Sequence, residues 1–173
     1  MRTDCALNII LIGMPGAGKS TVGVILAKRL GYNFVDTDLL LQAEQHARLQ
    51  EIIARVGLDE FKRLEENVCC QLSTMRSVIA TGGSVVYSER AMNHLKKLGQ
   101  IVFIDLPLDI LQVRVNDMDS RGLVIGPGES YQHLYKERQP LYKKYAEITI
   151  DSEGMTVEAV AAEIESHVCG KAV

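Results

Sequence analysis

Residues Gly13-Met14-Pro15-Gly16-Ala17-Gly18-Lys19-Ser20 fit the pattern G-x-x-x-x-G-K-[ST], the signature of a loop that binds phosphate. At average residue usage its four fixed positions meet by accident in about one chain of this length in two hundred. The pattern demands glycine because the backbone must wrap closely around phosphate and turn its amide N–H groups inward. In such a loop the lysine, here Lys19, neutralises charge and the hydroxyl of Ser20 ligates Mg2+. A nucleoside triphosphate is therefore the expected ligand, held by Gly13, Gly16, Ala17, Gly18, Lys19, Ser20 and Thr21. A glycine-rich turn with no ligand is the plainer alternative, and the flanking residues argue against it. Residues 7–12 form an apolar, β-branched run, and residues 21–30 carry apolar side chains at helical spacing. Strand, glycine loop and helix in that order place a helix N-terminus under a phosphate.

A chain of 173 residues with 47% hydrophobic content suits one domain with a single core, so residues 1–173 are read as one unit. The net charge of −3 and scattered basic residues leave no footprint for nucleic acid or an acidic membrane surface. Small-molecule partners are expected instead. Cys5, Cys69, Cys70 and Cys169 show neither C-x-x-C spacing nor histidines at metal-ligand spacing, so they read as reduced thiols in a reducing compartment. The apolar stretch 6–14 is too short to span a bilayer and ends inside the phosphate loop, where cleavage as a signal peptide would destroy the site. A cytoplasmic location follows as the expectation.

Short apolar runs alternate with helical patterns, which predicts an α/β fold with a five-stranded parallel sheet flanked by helices. Strands are expected at 8–12, 33–36, 77–81, 101–105 and 148–151, with helices at about 19–30, 57–75, 88–98, 107–116, 129–145 and 156–167. Residues 116–128, rich in Gly, Asp and Ser and containing Pro127, read as a lid. A mobile polar segment carrying Arg121 can close over phosphates and exclude water.

Four further groups carry candidate chemistry, two of them at strand ends, where an open α/β sheet binds ligands, and two on helices. Asp36-Thr37-Asp38 follows the second strand, and two carboxylates at i and i+2 can divide the work between a Mg2+ shell and an acceptor hydroxyl. Thr81-Gly82-Gly83-Ser84 follows the third strand, where paired glycines let backbone approach a ligand. On the helix through 57–66, Lys62 and Glu65 stand three residues apart and can pair across one face. In Glu137-Arg138-Gln139-Pro140-Leu141-Tyr142 a proline interrupts a helical pattern, and a kink there would redirect Arg138. Each group also has an ordinary structural reading, as a solvated strand end, a turn, a charged helix face or a helix bend.

Taken together and in order, these motifs resemble the shikimate kinase family of P-loop small-molecule kinases. The resemblance runs over essentially the whole chain: the loop 13–20, Asp36-x-Asp38, Gly57-x-x-x-Phe61-x-x-x-Glu65, Thr81-Gly82-Gly83, Arg121, and Arg138-x-Pro140-Leu141-Tyr142. It implies the three-layer P-loop kinase fold and Mg2+-dependent transfer of the ATP γ-phosphoryl group to a small carboxylated polyol, shikimate or one similar. It further implies that Lys19 and Arg121 contact the transferring phosphates, that Ser20 and Asp36 serve Mg2+, and that Arg114 lies along the adenine. Asp38 would bind the acceptor hydroxyl, and Lys62, Gly82, Gly83, Ser84 and Arg138 would hold the acceptor within a region spanning about 38–66 and beyond. A cytoplasmic monomer is the matching expectation.

The chain departs from the family pattern in the acceptor half. Lys62 stands where the pattern has arginine, Ser84 where it has a third glycine, Leu58 where it has an acid, and Gly122 where it has proline. Arginine offers a carboxylate a planar fork and lysine a point charge, so the first change alone weakens acceptor binding by about 1–3 kcal/mol unless compensated. Ser84 either crowds the pocket or donates a new hydrogen bond. A kinase for another hydroxy acid or sugar acid therefore stays open, as does a nucleotide-regulated module without turnover. A nucleoside-monophosphate kinase is disfavoured by the lack of clustered arginines in the acceptor region. A GTPase is disfavoured because Asn116-Asp117-Met118-Asp119 lacks the lysine of N-K-x-D.

Overall fold

A computed structural model describes residues 7–117 and 130–170. Five strands, β1 (Asn8–Ile12), β2 (Asn33–Asp36), β3 (Ser77–Ala80), β4 (Gly99–Asp105) and β5 (Ile148–Asp151), form one sheet in the order β2-β3-β1-β4-β5. Every pairing is parallel. β1 and β3 are buried along their whole length, as their mostly apolar sequences require in a sheet covered on both sides, with only Asn8 and Ser77 polar. The helices are α1 (Lys19–Leu30), α2 (Thr37–Gln45), α3 (Leu49–Val56), α4 (Leu58–Gln71), α5 (Glu89–Leu98), α6 (Leu108–Asp117), α7 (Tyr131–Tyr145) and α8 (Val157–Cys169). Among them α1 packs with α8 and α4 packs with α5.

From β1 the chain crosses to the edge strand β2, returns to β3 beside β1, and then passes to β4 and β5 on the other side, so it changes direction across the sheet beside the carboxyl end of β1. That end is where a parallel sheet opens a crevice, and it is where residues 13–18 lie. The main core holds the strand side chains with Leu26, Met92, Tyr142 and Ile164. A second cluster of Leu41, Leu49, Ile52, Phe61 and Val68 sits under α2, α3 and α4. The region beyond β2 thus has an apolar support of its own.

Most expected elements appear within a few residues, and the differences have local causes. α4 stops at Gln71, short of 75, because Leu72 adopts an extended ψ of 126°. β3 ends at Ala80, although Thr81 still donates its N–H to the Leu11 carbonyl. α6 continues to Asp117 and so takes the first residues assigned to the lid; residues 118–129, Arg121 and Gly122 among them, lie outside the described residues. Pro140 does not interrupt α7, which runs unbroken through it. Helices α2 and α3 were not anticipated. Asp36 both ends β2 and caps α2, its Oδ1 accepting from the N–H groups of Asp38 and Leu39, so no loop separates strand from helix. Among the described residues no helix is long and apolar enough to cross a membrane.

Asn8 is the polar exception in β1. Its buried side chain donates to the carbonyls of Thr74 and Leu98, at 2.8 and 3.0 Å, and accepts from the Ser77 N–H at 3.0 Å. It therefore ties the start of β1 to the segments entering β3 and β4. Asn8→Ala leaves three backbone groups without that partner and should lower unfolding free energy by about 2–4 kcal/mol, read as a lower urea midpoint at unchanged slope.

Candidate active site

The phosphate loop is shaped by glycine where other residues would be strained. Gly16 and Gly18 adopt φ of 85° and 91°, and a Cβ on Gly13 would come within 2.8 Å of the Ile104 carbonyl oxygen. Gly18 is the N-cap of α1 and supplies no side-chain cap, so the first amides of that helix face the loop's concavity. Lys19 is only 8% exposed. Its ammonium donates to the carbonyls of Gly13 and Met14, both at 2.9 Å, which holds the charge inside the loop. Burial pulls Lys19 down to about 8, and the nearby Asp38 carboxylate opposes that fall. Thr21 is exposed on the first turn of α1.

Asp36 joins the two halves of the site. Its Oδ2 accepts the Ser20 hydroxyl proton at 2.6 Å while its Oδ1 caps α2. That capping bond fixes Asp38 in the first turn of α2, on the cleft side. Burial, followed by the Asp36 charge, raises Asp38 to about 6 against the opposing pull of Lys19.

The cleft beside the loop has a volume of about 260 Å³ counted to its open mouth, and Pro15, Asp38, Leu49, Phe61, Glu65, Gly82, Gly83, Ser84 and Arg138 line it. A methyl group on Gly82 would collide with Glu65 Oε1 and come within 2.8 Å of Asp38 Oδ1; one on Gly83 would meet Arg138 Nη1 at 2.9 Å. The glycines are thus needed because two carboxylates and a guanidinium converge on their backbone. Tyr142 donates its hydroxyl to the Gly83 carbonyl at 2.7 Å, and Tyr131 donates to the Pro15 carbonyl at 2.6 Å, so α7 grips both the glycine turn and the phosphate loop.

Arg138, on α7, is 2% exposed. It reaches the cleft from within a continuous helix and needs no kink at Pro140. Lys62 and Glu65 do not pair. Glu65, 3% exposed, turns inward and accepts the Ser84 hydroxyl, whereas Lys62 lies over the Tyr87 ring with Nζ 4.9 Å from its centroid. Of the two roles open to Ser84, the new hydrogen bond is the one formed. Burial raises Glu65 to about 7, and the Ser84 bond is the main influence holding it from going higher.

Arg114 stands exposed on α6 with Nη1 3.5 Å from the Gly16 carbonyl, at the rim of the phosphate loop. The sequence reading did not single out Glu65, Tyr87, Tyr131 or Tyr142 as parts of this pocket. For Glu65 a signal existed: Phe61 and Glu65 are four apart and share one helix face, so a buried Phe61 implies a buried carboxylate. The tyrosines had no such signal because their partners are distant in the chain: backbone carbonyls for Tyr131 and Tyr142, and the side chains of Glu137 and Arg138 for Tyr87.

The shikimate kinase family model matches residues 15–169 of this chain. The shikimate kinase of Thermodesulfovibrio yellowstonii is 38% identical over 160 residues, covering 91% of this chain and 92% of that protein. That of Rhizobium meliloti is 35% identical, covering 94% and 86%. The structure of Acinetobacter baumannii shikimate kinase in complex with shikimate superposes with a TM-score of 0.89 at 29% identity, covering 96% of this chain and 95% of the other. Shikimate kinase from Aquifex aeolicus gives 0.82 at 34% identity, covering 96% and 99%.

The Ser84 bond favours the ionised form of Glu65. Carboxyl NMR titration should place the Glu65 midpoint near 7, and Ser84→Ala should move it upward. An unmoved midpoint would mean that the serine does not support the carboxylate.

Proposed function

The chain belongs to the shikimate kinase family, and on that premise we propose that its cleft passes the γ-phosphoryl group of ATP to the 3-hydroxyl of shikimate. As a member it is an ATP-dependent kinase that phosphorylates a hydroxyl group. The observation that carries the residue assignment is the convergence of a phosphate loop, a buried acid and a buried arginine on one cleft. Phosphoryl transfer asks a protein mainly for positioning and charge stabilisation, and these groups supply both.

In this reading the amides of residues 13–21 cradle the phosphates, and Lys19 exchanges its two loop carbonyls for phosphate oxygens. Asp38 orients the acceptor hydroxyl and takes its proton as the bond to phosphorus forms. Arg138, Lys62 and the turn at Gly82, Gly83 and Ser84 hold the acceptor carboxylate, and Arg114 borders the adenine. Ser20 and Asp36 present a hydroxyl and a carboxylate 2.6 Å apart, an oxygen donor set suited to Mg2+. Bound there, Mg2+ would draw charge off the phosphate oxygens. Residues 118–128 are assigned as the lid on their composition, since α6 takes 116 and 117, and Arg121 as its phosphate contact on the sequence resemblance. We read the chain as a single-domain enzyme that works as a monomer in the cytoplasm, where thiols such as those of Cys69 and Cys70 stay reduced.

ADP release should depend on added shikimate and exceed that with quinate, gluconate, homoserine or nucleoside monophosphates. Preference for another hydroxy acid would transfer the activity to that acceptor and trace to Lys62 and Ser84.

Asp38→Asn should lower kcat about 10²–10³-fold while calorimetric affinity for a non-hydrolysable ATP analogue stays within about twofold. Because the base must be ionised, the wild-type rate should fall as pH drops through about 6. Collapse of nucleotide binding in the variant would exchange the roles of Asp36 and Asp38.

A further inference from the structure

Tyr87 closes a short 3₁₀ turn, residues 85–87, that follows directly on the glycine turn, and the buried Val85 and Val86 anchor that turn in the core. Its ring is 37% exposed. Two cations from different helices gather on it: Lys62 Nζ from α4 lies 4.9 Å from the ring centroid and Arg138 Cζ from α7 lies 5.2 Å from it. The hydroxyl works as well, accepting the Arg138 Nε–H at 3.2 Å and donating to Glu137 Oε2 at 3.1 Å. Among the described residues neither Lys62 nor Arg138 forms an ion pair with a carboxylate.

Two like charges repel, and Glu65, the carboxylate of the same cleft whose charge favours Arg138, does not form an ion pair with it. The negative face of one aromatic ring attracts both cations without neutralising either, so both keep full charge for an incoming anion. An acid in the same place would collect them equally well, but it would compete with the ligand. The hydroxyl engages Nε of Arg138, while Nη1 of the guanidinium stands against the Gly83 backbone in the cleft that Arg138 lines.

We propose that Tyr87 is a positioning residue for acceptor specificity, its ring and hydroxyl holding Lys62 and Arg138 together as the receptor for the acceptor's carboxylate. The proposal rests on the reading of the cleft as an acceptor site for shikimate. It also gives the lysine at position 62 a physical place: a point charge needs a fixed platform, whereas a planar guanidinium carries its own directionality.

The test is steady-state kinetics of wild type, Tyr87→Phe and Tyr87→Leu with shikimate and with its uncharged methyl ester. Tyr87→Leu should raise the shikimate KM about tenfold, with kcat and the KM for ATP unchanged, and should leave kcat/KM for the ester within about twofold of wild type. Tyr87→Phe keeps the ring and should recover most of the loss, which guards against a folding defect in the leucine variant. Equal losses for shikimate and ester, or a matching rise in the KM for ATP, would make Tyr87 a structural residue and overturn the proposal. An unchanged shikimate KM in Tyr87→Leu would overturn it too while leaving the acceptor assignment intact. A wild type inert toward shikimate would defeat the acceptor assignment itself.

Discussion

Charge buried beside the carboxyl edge of the sheet is the constraint on which the rest of the structure depends. Lys19, Glu65 and Arg138 are almost wholly buried, and Asp38 lies in the same cleft. Removing such groups from water costs several kcal/mol each unless partners are held in place. The partners come from everywhere in the fold: loop carbonyls for Lys19, Ser84 for Glu65, Tyr87 for Arg138. A rigid parallel sheet with a close-packed core is what keeps those distant groups in register. Asn8 serves the same end from the opposite edge, tying together the segments that enter three adjacent strands.

The same burial sets the chemistry. Burial pushes Asp38 up to about 6 and Glu65 up to about 7, and pulls Lys19 down to about 8, which brings all three near neutral pH. An acid in that range is a stronger base than an exposed aspartate, and a lysine in that range remains largely charged at pH 7. Asp36 is central to the arrangement: one oxygen holds Ser20 of the phosphate loop and the other caps the helix that carries Asp38. The phosphate loop and the helix that carries Asp38 are therefore tied together through one carboxylate. This gives physical content to Asp36 and Asp38 standing two residues apart.

The departures at Lys62 and Ser84 do not leave holes. Ser84 satisfies a buried carboxylate and Lys62 rests on an aromatic ring, so each side chain has a partner suited to its chemistry. The α2–α4 side of the cleft also stands on a separate apolar cluster, apart from the main core. Such an arrangement lets acceptor contacts vary without disturbing the sheet that carries the phosphate loop.

The sequence by itself determined the features that local chemistry dictates. Glycines at 13, 16 and 18 with Lys19 and Ser20 fit a phosphate-binding loop, and short apolar runs alternating with helical patterns fit the strands of a parallel sheet. The ordered motifs were enough to indicate the family. Helices α2 and α3 escaped because Asp36 ends a strand and caps a helix in the same residue, a double duty that periodicity does not reveal. What only the tertiary structure decided is which side chains meet. Lys62 and Glu65 look like a helical pair at three-residue spacing, yet each finds a partner outside its own helix, a buried serine for the buried carboxylate and the Tyr87 ring for the half-buried ammonium. Arg138 and Tyr87 are 51 positions apart in the chain, and only the packing of α7 against the turn after β3 brings them into contact.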